Sequence, residues 1–245
     1  MHLIPVQYYI CTIFSNIDKV IEIFKQEFNA KDFGKVTNFL GMEISRENGK
    51  LMIKQTKFIN KIFEKFNMTE FKKVDTPMEL NFQAEQNQED IKVPYRQLIG
   101  SLLYVATITR PDIMFPVSYL SRTLDKPPQA TWKAAKRIVR YLMATKDIGL
   151  IYTVSSNNLI SYSDSDWARD KIDRKSTSGN IVLYGSNVVS WFSKKQGCVS
   201  TAEAEYAASI QDLVHLKEIN KDFASFEDTT LLVDNKSAIC MAKTF

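Results

Sequence analysis

Four carboxylates in the C-terminal third stand where a carboxylate can do chemistry. Asp164 and Asp166 alternate within LISYSDSDW (159–167), whose pattern predicts a strand, so both side chains take one face. Asp234 closes an otherwise apolar run, LLVD (231–234). A lone charge there is costly unless it meets a partner or an exposed cleft. Glu203 and Glu205 open a predicted helix at TAEAEY (201–206). Thr201 is a candidate N-cap, and acids in a first helical turn favour the macrodipole. Capping accounts for Glu203, whereas Glu205 falls deeper in the helix. If Asp164, Glu205 and Asp234 converge, they repel strongly unless a divalent cation sits among them. Oxygen-only ligands suit Mg²⁺, which keeps several waters and bridges to substrate phosphates. Such sites run phosphodiester hydrolysis with two ions, one activating water and one stabilising the leaving oxygen. Ordinary acids at strand ends account for the spacing equally well.

The rest of the composition leaves few competing chemistries. The chain has 245 residues, with two histidines and three cysteines. His2 and His215 lie at opposite ends, so a His-based zinc hydrolase has nothing to build on. Cys11, Cys198 and Cys240 form no CxxC pair, which argues against a structural zinc site and a disulfide scaffold. Eight glycines supply no glycine-rich phosphate loop. The early apolar stretch Tyr8–Phe14 is far shorter than the roughly 20 residues that span a bilayer. It also lacks the basic flank of a signal peptide. The expectation is an intracellular protein, cytoplasmic or nuclear, not secreted and without a membrane partner. The net charge of +4 is a mild pointer to polyanions.

The elements that must position the acids follow from periodicity. Residues 17–28 have helical spacing, with Ile17, Val20, Ile21, Phe24 and Phe28 on one face. Asn48-Gly49 between FLGMEIS (39–45) and LMIKQ (51–55) predicts a β-hairpin. Residues 56–67 return to helix. A polar stretch, 81–92, reads as a linker. Helices are predicted over 95–108, about 113–123 and 129–145, separated at Pro111 and at Pro127-Pro128. From 159 the period alternates, predicting strands at 159–167, 180–185 and 188–193, a helix at 201–222, a strand at 231–234 and a further helix. This order points to an α/β or α+β domain with a mixed sheet. In the helix 129–145, Lys133, Lys136, Arg137 and Arg140 share one face opposite Ala135, Ile138, Val139 and Leu142. That face is either an ordinary solvated one or a phosphate-tracking stripe.

The segments YSDSDWARDKIDRKSTSG (162–179), VVSWFSKKQ (188–196), STAEAEY (200–206) and VDNKSAI (233–239) resemble the ribonuclease H domain of copia-type retrotransposon polyproteins. FLGMEI (39–44), YRQLIGSLLYVATITRPDIMFPVSYLSR (95–122) and WKAAKRIVRYLMATKDIGLIY (132–152) resemble the region that joins reverse transcriptase to that domain. The resemblance implies three parts: a palm remnant with a primer-grip-like hairpin (1–80), a helical thumb-like segment (81–150) and a ribonuclease H-like domain (151–245). It implies metal-dependent hydrolysis of the RNA strand of RNA–DNA hybrids. Asp164, Glu205 and Asp234 would serve as catalytic metal ligands, for two Mg²⁺ or for Mn²⁺. Asp166 would be a companion acid whose metal contact is left open. It also implies nucleic acid and the remainder of the Pol polyprotein as partners, with Lys133, Lys136, Arg137 and Arg140 against nucleic acid.

The departures are equally specific. Where a reverse transcriptase carries a YVDD-type pair, VQYYICTIFSN (6–16) has no Asp or Glu, so no polymerase activity is expected. The ribonuclease H pattern continues past VDNKSAI to a fourth metal-site residue, so a C-terminally truncated domain is expected. The alternative expectation is a catalytically dead nucleic-acid-binding remnant, or a degraded mobile-element copy.

Overall fold

A computed structural model of the chain describes residues 25–27, 34–68, 72–84, 91–154, 158–166, 176–196 and 229–233. Of the helix expected at 17–28, residues 25–27 are described and are helical. The helices expected at 201–222 and after 234 lie outside the described residues.

The expected hairpin forms from β2 (Met42–Glu47) and β3 (Lys50–Lys54). Asn48 and Gly49 take φ of +50° and +71°, the pair of left-handed residues that a type I′ turn needs. Leu40 and Gly41 repeat the device, with φ of +46° and +77°, and join a two-residue β1 (Asn38–Phe39) to β2. A leucine in that region is strained. The Tyr104 hydroxyl donates to the Leu40 carbonyl and pins the turn.

Helix α1 (Thr56–Lys65) turns Ile59 and Ile62 inward. Helix α2 (Tyr95–Ile108) stops before Thr109. Pro111 then opens a 3₁₀ turn, Pro111–Ile113, where its missing N–H costs nothing. Helix α3 (Met114–Leu120), a second 3₁₀ turn (Ser121–Thr123) and α4 (Gln129–Ala144) complete the helical segment. Leu98, Leu102, Val105, Val117, Ile138 and Leu142 are fully buried at its core.

A short strand that periodicity does not reveal, β4 (Leu150–Tyr152), follows α4. It pairs antiparallel with β3, Ile53 opposite Leu150, and closes a sheet of order β1-β2-β3-β4. Gly149 permits this approach, because a Cβ there would collide with the Ile53 carbonyl oxygen. β4 straddles residues 150 and 151, the expected junction between the helical and C-terminal parts.

The second sheet has order β7-β6-β5-β8. β5 (Leu159–Asp166), β6 (Thr177–Tyr184) and β7 (Asn187–Lys195) form an antiparallel meander. β8 (Thr229–Val233) lies parallel to β5. The sheet is thus mixed, as expected. β6 begins earlier than its apolar run suggests, because Thr177, Ser178 and Gly179 are held between two partner strands; pairing overrides their weak strand propensity. Among the described residues no helix is long and apolar enough to cross a membrane.

One polar cluster organises the helical segment. The Arg110 side chain is 1% exposed. Its Nε and Nη2 donate to the two Asp112 carboxylate oxygens at 2.9 and 2.7 Å. Its Nη1 and Nη2 donate to the backbone oxygen and the hydroxyl of Thr145 at 3.0 and 2.7 Å. The Tyr141 hydroxyl donates to Asp112 at 2.8 Å, and the guanidinium lies 5.4 Å from the Tyr141 ring centroid. Next to it, the buried Thr109 hydroxyl donates to Gln55 Oε1 at 2.7 Å, just before α1. The end of α2, the end of α4 and the start of α1 therefore meet at one polar node.

Burial alone would raise the Asp112 carboxyl, but the Arg110 bonds and charge, with the Tyr141 hydroxyl, outweigh it and hold it below its usual range. A carboxyl depressed in the folded state stabilises fully above its unfolded pKa, and that contribution is lost as pH falls through the folded pKa. Asp112→Ala should lower stability by about 2–3 kcal/mol at neutral pH, because it strands a buried guanidinium while Asp112 itself is part-exposed. Denaturant melts of wild type and variant should converge as the pH is taken down through the acid range. A gap that stays constant with pH would show that the carboxylate charge is not what matters.

Candidate functional site

β5 alternates cleanly. Ser161 and Ser163 are buried, whereas Tyr162 and Asp164 are exposed on the opposite face. Cross-strand partners share a face, so register defines what surrounds Asp164. Asp164 pairs with Gly179, which pairs with Ser193. Tyr162 pairs with Ile181, which pairs with Trp191, and Leu232 of β8 pairs with Tyr162 from the other side. An acid row therefore adjoins an aromatic row.

This face forms the floor of a cleft of about 720 Å³ whose other wall is Pro111, Met114 and Phe115. A Cβ at Gly179 would meet nothing within 4 Å, so the space beside Asp164 is open. Phe115 and Tyr162 remain 39% and 47% exposed and present ring surface to the cleft.

The sheet is fastened to the rest of the chain by side-chain hydrogen bonds. Trp191 Nε1 donates to the Ala106 carbonyl of α2 at 2.8 Å. The Ser118 hydroxyl of α3 donates to the Ser193 carbonyl at 2.9 Å. Arg122 Nη2 donates to the Thr177 hydroxyl at 3.0 Å, and its guanidinium lies 5.0 Å from the Tyr119 ring centroid. Asn187 both accepts from the Thr153 N–H and donates to the Thr153 carbonyl, each at 2.8 Å. The sheet bearing Asp164 thus rests on the helical segment.

Of the acids singled out by sequence, Asp164 faces this cleft. Asp166 ends β5 opposite Thr177. Glu205 and Asp234 lie outside the described residues. The last described residue of β8, Val233, pairs with Ser163; each of these two residues immediately precedes one of the expected metal acids. Among the described residues no three His, Cys, Asp or Glu side chains form a metal-sized group.

The four basic residues of α4 differ in their surroundings. Lys133 is exposed. Lys136 Nζ lies 5.7 Å from the Trp132 ring centroid. Arg137 is engaged within the chain: it donates to the Thr76 carbonyl and hydroxyl at 3.2 and 3.0 Å and pairs with Glu79 at 3.1 Å. Arg140 Nε is buried without a hydrogen-bond partner among the described residues. Sequence reasoning missed Phe115, Ser118, Arg122 and Trp191. Trp191 carries the one usable signal, a large aromatic with a polar tip inside an alternating strand.

A family model described as reverse transcriptase (RNA-dependent DNA polymerase) matches residues 10–80. The Pol polyprotein of transposon TNT 1-94 from Nicotiana tabacum is 35% identical over 89% of this chain and 18% of its own length. The Pol polyprotein of transposon RE1 from Arabidopsis thaliana is 38% identical over 78% of this chain and 13% of its own length. A putative transposon Ty5-1 protein of Saccharomyces cerevisiae is 32% identical over 81% of this chain and 68% of its own. The chain therefore spans less than a fifth of the Pol polyproteins it matches.

Trp191→Phe should cost about 1–2 kcal/mol, because the Ala106 carbonyl loses its donor. A denaturant melt checks this. An unchanged midpoint would mean that the indole does not fasten the sheet to α2.

Proposed function

The chain belongs to the copia-type retrotransposon Pol polyprotein family, and on that premise we propose that its C-terminal sheet is the core of a ribonuclease H-like domain. Its reaction is hydrolysis of the RNA strand of RNA–DNA hybrids. The observation that carries this reading is the parallel pairing of β5 with β8, in register from Leu159 opposite Thr229 to Ser163 opposite Val233. Asp164 and Asp234 are the next residues of the two segments. Asp164 is exposed beside open space, which suits a carboxylate whose bound cation would also have to meet a substrate phosphate.

Asp164, Glu205 and Asp234 are the metal-holding residues in this reading, with Asp166 as companion. Their oxygen-only chemistry fits Mg²⁺ or Mn²⁺. Held by these carboxylates, two such ions would supply an activated water and charge stabilisation at the leaving oxygen. The chain's own residues orient and enclose: the sheet fixes Asp164, and α3 with the 3₁₀ turn closes the far side of the cleft. The hairpin β2–β3 corresponds to a primer-grip-like palm element, and α2–α4 to a thumb-like segment. Polymerase chemistry is not part of this reading, because VQYYICTIFSN (6–16) has no carboxylate. The remainder of the polyprotein is the natural protein partner.

Purified chain should cleave the RNA strand of a hybrid in Mg²⁺, and both Asp164→Asn and Asp234→Asn should abolish cleavage. Equal background in all three proteins would identify a catalytically dead remnant. On α4, Lys133 and Lys136 are the phosphate contacts, whereas Arg137 is structural. Lys133→Glu with Lys136→Glu should weaken hybrid binding and lower the slope of log affinity against log salt by roughly two. An unaltered slope would remove this face from the interface.

A further inference from the structure

Helices α1 and α4 run antiparallel and are tied at both ends. The Thr56 hydroxyl donates to the Lys146 carbonyl at 2.9 Å. At the other end the Phe66 and Trp132 rings meet edge to face, with centroids 6.5 Å apart and planes at 68°. Each ring also carries an ammonium group. Lys65 Nζ lies 5.6 Å from the Phe66 centroid, and Lys136 Nζ lies 5.7 Å from the Trp132 centroid. Lysine, ring, ring and lysine thus form one row that crosses from α1 to α4, with the exposed Lys133 next to Trp132. Cation–π attraction holds a long side chain near one place, so less freedom is lost when its ammonium meets a partner.

The cations of this row are not answered by acids. Elsewhere in the helical segment Arg137 has Glu79, Arg96 has Asp125 and Lys73 has Asp75. Lys65, Lys133 and Lys136 form no ion pair among the described residues. Glu64, the adjoining acid of α1, is exposed and pairs with none of them.

We infer that this row extends the nucleic-acid face of α4 onto α1, with Lys65 as a further phosphate contact to a paired duplex. The inference rests on the reading of Lys133 and Lys136 as phosphate contacts and adds a second element to it. Both rings are part-buried against the helical core, and their partners are each other and the two ammonium groups. Such a surface meets the backbone and carries no sequence information. A duplex presents about one charge per 1.7 Å of its axis. Cations on two helices packed roughly 8–10 Å apart therefore reach phosphates of the same molecule.

The test is fluorescence anisotropy of the full chain in EDTA with two blunt-ended RNA–DNA hybrids of unrelated sequence, repeated over a range of salt. Lys65→Gln should weaken both hybrids equally and lower the slope of log affinity against log salt by about one. Lys65→Arg keeps the charge and should keep the slope. Lys50→Gln, at an exposed lysine of the β2–β3 turn, should leave the slope unchanged. No change with Lys65→Gln overturns the inference. An equal drop with Lys50→Gln also overturns it, since attraction to net charge would then suffice, and so does a loss confined to one sequence. If Lys133→Glu with Lys136→Glu lowers the slope while Lys65→Gln does not, the α4 reading stands without this extension; if neither does, both fall.

Discussion

A guanidinium sealed at 1% exposure has to be answered by its surroundings, because an unpaired buried charge costs several kcal/mol. Arg110 is answered by both oxygens of Asp112 and both oxygens of Thr145. Those partners come from two sequence-distant places, the 3₁₀ turn after α2 and the end of α4. Satisfying one side chain therefore fixes the angle at which α2 ends, the start of α3 and the point where α4 releases the chain toward β4. A buried pair of this kind is weak support for net stability. Its contribution lies in selecting one arrangement of these ends over others.

The arrangement matters because the second sheet rests on it. Met114, Phe115 and Ser118 follow directly from the turn that Asp112 anchors. Trp191, Ser193 and Thr177 meet that surface through hydrogen bonds to α2, α3 and the second 3₁₀ turn. β4 adds a second tie: its strand belongs to the first sheet, and Thr153, just after it, is held by Asn187 of β7. The cleft at Asp164 is thus built from two segments of the chain. In the proposed function, the helical segment is a wall of the nuclease-like site as well as a spacer.

Much of this was legible in the sequence where one period dominates. The helices at 95–108 and 129–145 carry strong apolar faces and appear within one residue of their expected ends. The Asn48-Gly49 hairpin was equally plain. β4 was not, because three residues are too few for a period and its pairing depends on a glycine that lets β3 approach. The alternating period of 159–167 marked β5 as a strand. What faces it could not be read, since Phe115 and Trp191 come to one cleft only through tertiary docking. Helical spacing placed four cations of α4 on one face, either solvated or tracking phosphates. Arg137 proves to be spent on Thr76 and Glu79, a contact across 58 and 61 positions that no local pattern carries.

The central claim is that the exposed carboxylate of Asp164, held on a sheet braced by the helical segment, is part of a divalent-cation site. Anomalous diffraction from crystals grown with Mn²⁺ measures this directly. A manganese peak is expected within about 2.5 Å of an Asp164 carboxylate oxygen, on the cleft side of β5. A map at saturating Mn²⁺ with ordered density for Asp164 and no peak beside it would contradict the account.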